Sequence, residues 1–127
     1  MEKKRKYLTK TEWSIMKICW EKGQSSARVI YEETLKQKKR GYQSVKTMLD
    51  RLVVKGYLVR EKFGPIWLYT PTVSHSKVMT REIDSFIDTV LDNTFSPLFA
   101  RLIEKEKLSS DEIEALKKLI EEHEECE

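Results

Sequence analysis

At 127 residues the chain is long enough for one domain, or for one small domain with an appended segment. It contains no run of about 18 apolar residues, so no transmembrane helix is expected, and the charged start MEKKRKYLTK lacks the apolar stretch of a secretory signal. The net charge of +3 conceals an asymmetry: residues 1–70 hold 17 Lys and Arg against 7 Asp and Glu, and residues 71–127 hold 7 against 14, which suits a first half that meets a polyanion and a second that does not.

Helix starts carry clear capping signals. Thr9, with Glu12 three residues on, forms a capping box between the hydrophobic-staple positions Leu8 and Trp13, and predicts a helix over 10–22. Trp13, Ile15, Met16, Ile18, Cys19 and Trp20 leave that helix only a narrow polar stripe of Ser14, Lys17 and Glu21, so it should pack on more than one side. Ser26 caps a second helix over 26–38. A third runs over 42–55 and ends at Gly56 as a left-handed cap residue, and a two-stranded hairpin follows at about 57–63 and 66–70. Ser74 opens a helix over 74–92, Ser96 before Pro97 caps one over 97–107, and Ser109 with Glu112 repeats the capping device ahead of a helix over 110–124. The order predicts a mainly α fold: a winged helix-turn-helix domain over 1–72, with three helices and a two-stranded wing, then a three-helix dimerisation domain over 73–127.

The third helix carries the chemistry. At about 100° per residue, Val45, Met48, Leu49 and Leu52 form one buried stripe, and Gln43, Thr47 and Asp50 point away from it with Lys46 and Arg51 on the flanks. A helix that enters a major groove needs short hydrogen-bonding side chains in front and cations at the sides, where the phosphates run. Gln43 suits an adenine edge and Thr47 a thymine methyl, while Arg51 is better placed for a phosphate. Asp50 is awkward beside DNA, and two roles stand open for it: pairing with Lys46 one turn earlier, or accepting from a cytosine amine.

In the second half, Met79, Ile83, Phe86, Ile87, Val90 and Leu91 follow helical spacing, as do Leu98, Phe99, Leu102 and Ile103, and then Ile113, Leu116 and Ile120. Some fifty residues of such helices make a poor core alone, so a second copy of the chain is expected to complete it.

Other functions lack their residues. No Ser/Cys-His-Asp spacing and no Gly-rich phosphate loop points to an enzyme, and no cofactor is expected. His123-Glu124-Glu125-Cys126 offers only an H-x-x-C, an incomplete set for a metal-responsive repressor, so no metal site is assigned. Cys19 reads as core, and two distant cysteines suit a reducing cytoplasm. A protein-interaction winged helix would need an exposed apolar anchor on the third helix, for which only Val53 and Val54 are candidates.

L-T-x-x-E-W-x-I-M with Trp20 after it, then S-V-K-T-M-L-D-R-L-V-V-K-G-Y-L, W-L-Y-T-P and E-K-E-K-L-S-S-D-E-I-E-A-L resemble the penicillinase repressor (BlaI/MecI) family of bacterial transcriptional regulators over nearly the whole chain. The resemblance implies a homodimer that represses antibiotic-resistance or related genes from a double-stranded, inverted-repeat operator, with Gln43, Ser44, Lys46, Thr47 and Arg51 on the recognition helix. Expected DNA contacts are therefore Gln43, Ser44, Lys46, Thr47, Asp50, Arg51 and Lys62. The expected dimer residues are Phe86, Val90, Leu98, Leu102, Ile103, Ile113, Leu116 and Ile120. Two departures stand out. Family wings often carry a basic tip, whereas this one has Phe63-Gly64-Pro65-Ile66, with Lys62 the nearest cation. The best-known members are cut between an Asn and a Phe in the penultimate helix, where this chain has Arg101-Leu102; by the resemblance, a membrane-anchored sensor protease is the third candidate partner.

Overall fold

The computed structural model describes residues 7–126; the MEKKRK start, Glu127 and the side chains of Glu125 and Cys126 lie outside the described residues. Helix α1 (Lys10–Lys22) begins as its capping box requires. The Glu12 amide donates to Thr9 Oγ1 at 3.2 Å and the Thr9 amide to Glu12 Oε1 at 2.9 Å, so two otherwise orphaned donors are satisfied. A two-residue strand, β1 (Ser25–Ser26), precedes α2 (Ala27–Thr34), whose first turn is capped by the Ser26 hydroxyl.

Helix α2 stops four residues short of the 38 expected from sequence. Thr34 Oγ1 donates back to the Tyr31 carbonyl at 2.6 Å, and the amides of Gln37 and Lys38 both turn onto the Thr34 carbonyl. Thr and the charged run after it give the helix little reason to continue. Helix α3 (Tyr42–Lys55) ends at Gly56 with φ +88, the left-handed cap that glycine adopts without a Cβ penalty. Strands β2 (Leu58–Phe63) and β3 (Ile66–Pro71) form the wing. Its turn is Gly64-Pro65, with Gly64 at φ +60 as the primed hairpin turns require. The sheet has three strands in the order β1-β3-β2, all pairs antiparallel.

The core gathers Ile15, Met16, Ile18 and Cys19 of α1, Ala27 and Ile30 of α2, the Val45, Met48, Leu49 and Leu52 stripe of α3, and Tyr57, Leu58 and Tyr69 of the wing root. Burial pushes the Cys19 thiol up to about 12, so it behaves as a small apolar filler. Helix α4 (His75–Phe86) adds Val78, and Trp20 Nε1 donates to the Val73 carbonyl at 2.8 Å.

The chain divides into two compact units, residues 1–83 and 84–127. The second unit opens with the last residues of α4, which pass into a π turn (Ile87–Leu91) followed by Asp92 and Asn93 at positive φ, so the helix expected over 74–92 changes its winding at Ile87. Helices α5 (Ser96–Glu104) and α6 (Ser110–Cys126) follow. Ser96 is not the cap expected of it: it is the first helical residue, preceded by Phe95, and no side chain caps that end. Ser109 does cap α6, accepting from the Glu112 amide at 3.2 Å.

Candidate nucleic-acid interface

Helix α3 exposes Gln43, Ser44, Thr47 and Arg51 on the side away from its buried stripe. Those four side chains, with Met48 and Lys55, line an open hollow whose other wall is Thr9, Thr11 and Glu12 at the start of α1. The positive end of the α1 dipole therefore borders the row of short polar groups, as favours a phosphate nearby. Across the lining of the hollow, Lys55 Nζ lies 2.6 Å from Glu12 Oε1 and fastens the end of α3 to the start of α1.

Lys46 and Asp50 sit differently from the other expected contacts. Lys46 is half-buried and its ammonium lies 3.6 Å from Asp50 Oδ2, the pairing one turn apart that was one of the two roles open for Asp50. Asp50 Oδ1 also accepts from Tyr69 Oη at 2.8 Å and from Arg60 at 3.3 Å. Burial, then the hydrogen bond and charge of Asp50, push the Tyr69 hydroxyl up to about 12, so it remains a donor throughout the neutral range. With its lone pairs so engaged, Asp50 is tied to the wing.

On the wing, the register pairs Arg60 with Tyr69 and Lys62 with Trp67, which puts two cations and two aromatic rings on one face of the hairpin. The Arg60 guanidinium lies 4.6 Å and the Lys62 ammonium 5.9 Å from the Trp67 ring centroid, both within cation–π range. The tip is apolar, with Phe63 70% exposed. Lys62 was expected from sequence, whereas Arg60, Trp67 and Tyr69 were not. Their signal was available: a two-residue turn at Gly64-Pro65 fixes the register, and period-2 alternation then places all four together. Also missed was the turn before α3, where Lys38 and Lys39 are exposed. There the Arg28 guanidinium stands 5.0 Å from the Tyr42 ring at the first residue of α3.

In the second unit, Phe86, Val90, Ile103, Ile113 and Ile120 are exposed and Leu98, Leu102 and Leu116 half-buried; among its described residues none is buried. Arg101 and Leu102 lie inside α5, with Arg101 bonded to Glu104 at 2.8 Å. Among the described residues no group of three His, Cys, Asp or Glu could hold a metal ion, and no helix is long and apolar enough to cross a membrane.

Three helices and a wing, with short polar side chains facing out from the third helix and cations beside them, define a winged helix-turn-helix protein of the DNA-binding class. The penicillinase repressor family profile matches residues 8–122, and the chain belongs to that family of transcriptional repressors. It is similar to the methicillin resistance regulatory protein MecI of Staphylococcus aureus strain N315, at 34% identity over 120 residues covering 94% of this chain and 98% of that one. It is also similar to the penicillinase repressor of Bacillus licheniformis, at 28% identity over 121 residues, 95% and 94% of the two chains. Among solved structures, the DNA-binding domain of the repressor BlaI superposes with a TM-score of 0.53 at 29% identity, covering 59% of this chain and 92% of that one. The monomeric Bacillus licheniformis BlaI in complex with the blaP half-operator gives a TM-score of 0.51 with the same identity and coverage.

Proposed function

We propose that the chain represses transcription as a homodimer. Each copy lays α3 in a major groove of one half of a pseudo-palindromic operator, and residues 84–124 join the two copies. The observation that carries the reading is the exposed row of Gln43, Ser44, Thr47 and Arg51, the hydrogen-bonding and cationic set that a groove-facing helix needs. The half-operator bound by the similar monomeric form of BlaI supports double-stranded DNA as the partner. The names of the relatives support antibiotic-resistance genes as the target.

Gln43→Ala and Thr47→Ala are expected each to cost on the order of 1–3 kcal/mol on the cognate duplex and to relax base preference at one position. Arg51→Ala should weaken every duplex alike and reduce the salt slope by about one contact. Anisotropy titrations on cognate and scrambled duplexes separate the two patterns. Equal losses on both duplexes for Gln43→Ala and Thr47→Ala would sink the base-reading assignment.

Release by a membrane-anchored sensor protease is part of the same proposal, with Arg101-Leu102 as the cut. A protease needs an extended strand, so α5 must open locally before attack. Intact mass of the protein from host cells before and after a cell-wall antibiotic tests this. Derepression with the chain still whole would overturn it.

A further inference from the structure

Asp50 stands mid-helix on the outward face of α3, where a bare carboxylate would repel phosphate. Instead donors from three elements converge on it: Lys46 from one turn earlier at 3.6 Å, Arg60 from β2 at 3.3 Å and Tyr69 from β3 at 2.8 Å. Tyr69 is 1% exposed, so the core fixes its hydroxyl, and Trp67 holds Arg60 on a second side at 4.6 Å. The carboxylate is thus anchored to the rigid wing root as well as to two cations.

We infer that Asp50 is a positioning residue that sets sequence discrimination: it holds Lys46 and Arg60 in place between the reading helix and the wing, and so withholds both from phosphates of arbitrary sequence. The inference rests on the reading of α3 as the base-reading helix. Binding to a random duplex comes from whatever cations can reach a phosphate. Lys46 and Arg60 must leave Asp50 to do so, and the carboxylate they leave behind then faces the polyanion. On the cognate duplex, Lys46 is already ordered beside Thr47, and less side-chain freedom is lost on docking. Specificity is a difference between two affinities, so a group that weakens the wrong complex more than the right one raises it.

The test uses the full chain. Selection from a randomised duplex library with the wild-type protein defines the preferred site. Titrations at several salt concentrations then compare that duplex with a scrambled one of equal length. Asp50→Asn keeps the side-chain shape and an acceptor for Tyr69. It is expected to tighten scrambled-duplex binding about fivefold and to steepen its salt slope by about one phosphate contact, with a smaller gain on the selected duplex. Tyr69→Phe keeps the Asp50 charge and its Arg60 contact but removes the core-fixed donor from the carboxylate, and should weaken the selected duplex while leaving the scrambled salt slope unchanged. Equal gains on both duplexes for Asp50→Asn would reduce Asp50 to bulk charge and overturn the inference. A loss confined to the selected duplex would mean that Asp50 accepts directly from a base, and would overturn it as well. Both results leave the reading of α3 standing, whereas a wild-type protein that selects no site would overturn the two together.

Discussion

Ile103→Glu is expected to give a monomer in sedimentation and to lower operator affinity by about 100-fold or more, with the first unit still folded. Residues 84–124 contain not one buried side chain, yet they present Phe86, Val90, Phe95, Phe99, Ile103, Leu119 and Ile120 to solvent. Helices that leave this much apolar surface open do not offset the conformational entropy of ordering them. In the proposed homodimer a second copy would supply the missing cover, and a symmetric pair needs only one self-complementary patch.

The site of substitution matters. Ile103 is 63% exposed in the single chain, whereas Leu102 is half-buried within it, so a charge at 103 strikes the interface with less harm to the helices themselves. The large loss on DNA follows from linkage: two joined modules bind their half-sites with an effective concentration that separate monomers lack, a factor of about 100 to 10,000. The isolated half-site should be bound by Ile103→Glu as well as by wild type. Wild-type protein that sediments as a monomer at micromolar concentration, yet binds its whole operator tightly, would defeat the dimer.

Much of the first unit was legible because its signals are local. The Thr9–Glu12 box, the Ser26 cap and the Gly56 stop each act within four residues, and each falls where the sequence places it. The hairpin was legible because Gly64-Pro65 can only be a turn between strands rich in β-branched and aromatic residues. What escaped depends on contacts between distant segments. Strand β1 is two residues long, too short for any alternation, and exists because Ser25 and Ser26 pair with Tyr69 and Leu68. The π turn at 87–91 has the same apolar spacing as an α-helix, so periodicity could not separate them. At the interface, helical spacing placed Gln43, Thr47 and Asp50 on the outward face with Lys46 and Arg51 on its flanks, but the partners of Asp50 on the wing needed the fold. The helical wheel has no term for a hydroxyl nineteen residues away.

The same limit applies to the largest stability effect expected. Lys55→Met should destabilise the first unit by about 3 kcal/mol at neutral pH, because it strips the partner from a buried carboxylate. Glu12 is 5% exposed, and its Oε1 already accepts the Thr9 amide before Lys55 closes on it at 2.6 Å. Burial alone would raise the Glu12 carboxyl; the Lys55 hydrogen bond and charge, with Thr9, outweigh it and hold the pKa below the ordinary 4.5. Between the folded and unfolded values the unfolded chain therefore binds more protons. The stabilisation is complete above about pH 4.5 and is lost as the pH falls through the folded pKa. Glu12→Gln, which keeps the capping oxygen but not the charge, should be less stable than wild type at neutral pH and converge toward it in acid. Glu33, lowered by its bond to Lys36 and then by Lys22, is common to both proteins and cancels in the difference. All three tryptophans lie in the first unit, so urea unfolding followed by their fluorescence reports this unit alone. A difference between wild type and Glu12→Gln that stays constant from neutral pH into acid would mean the carboxylate is solvated rather than paired, and the joint between α1 and α3 would have to be found elsewhere.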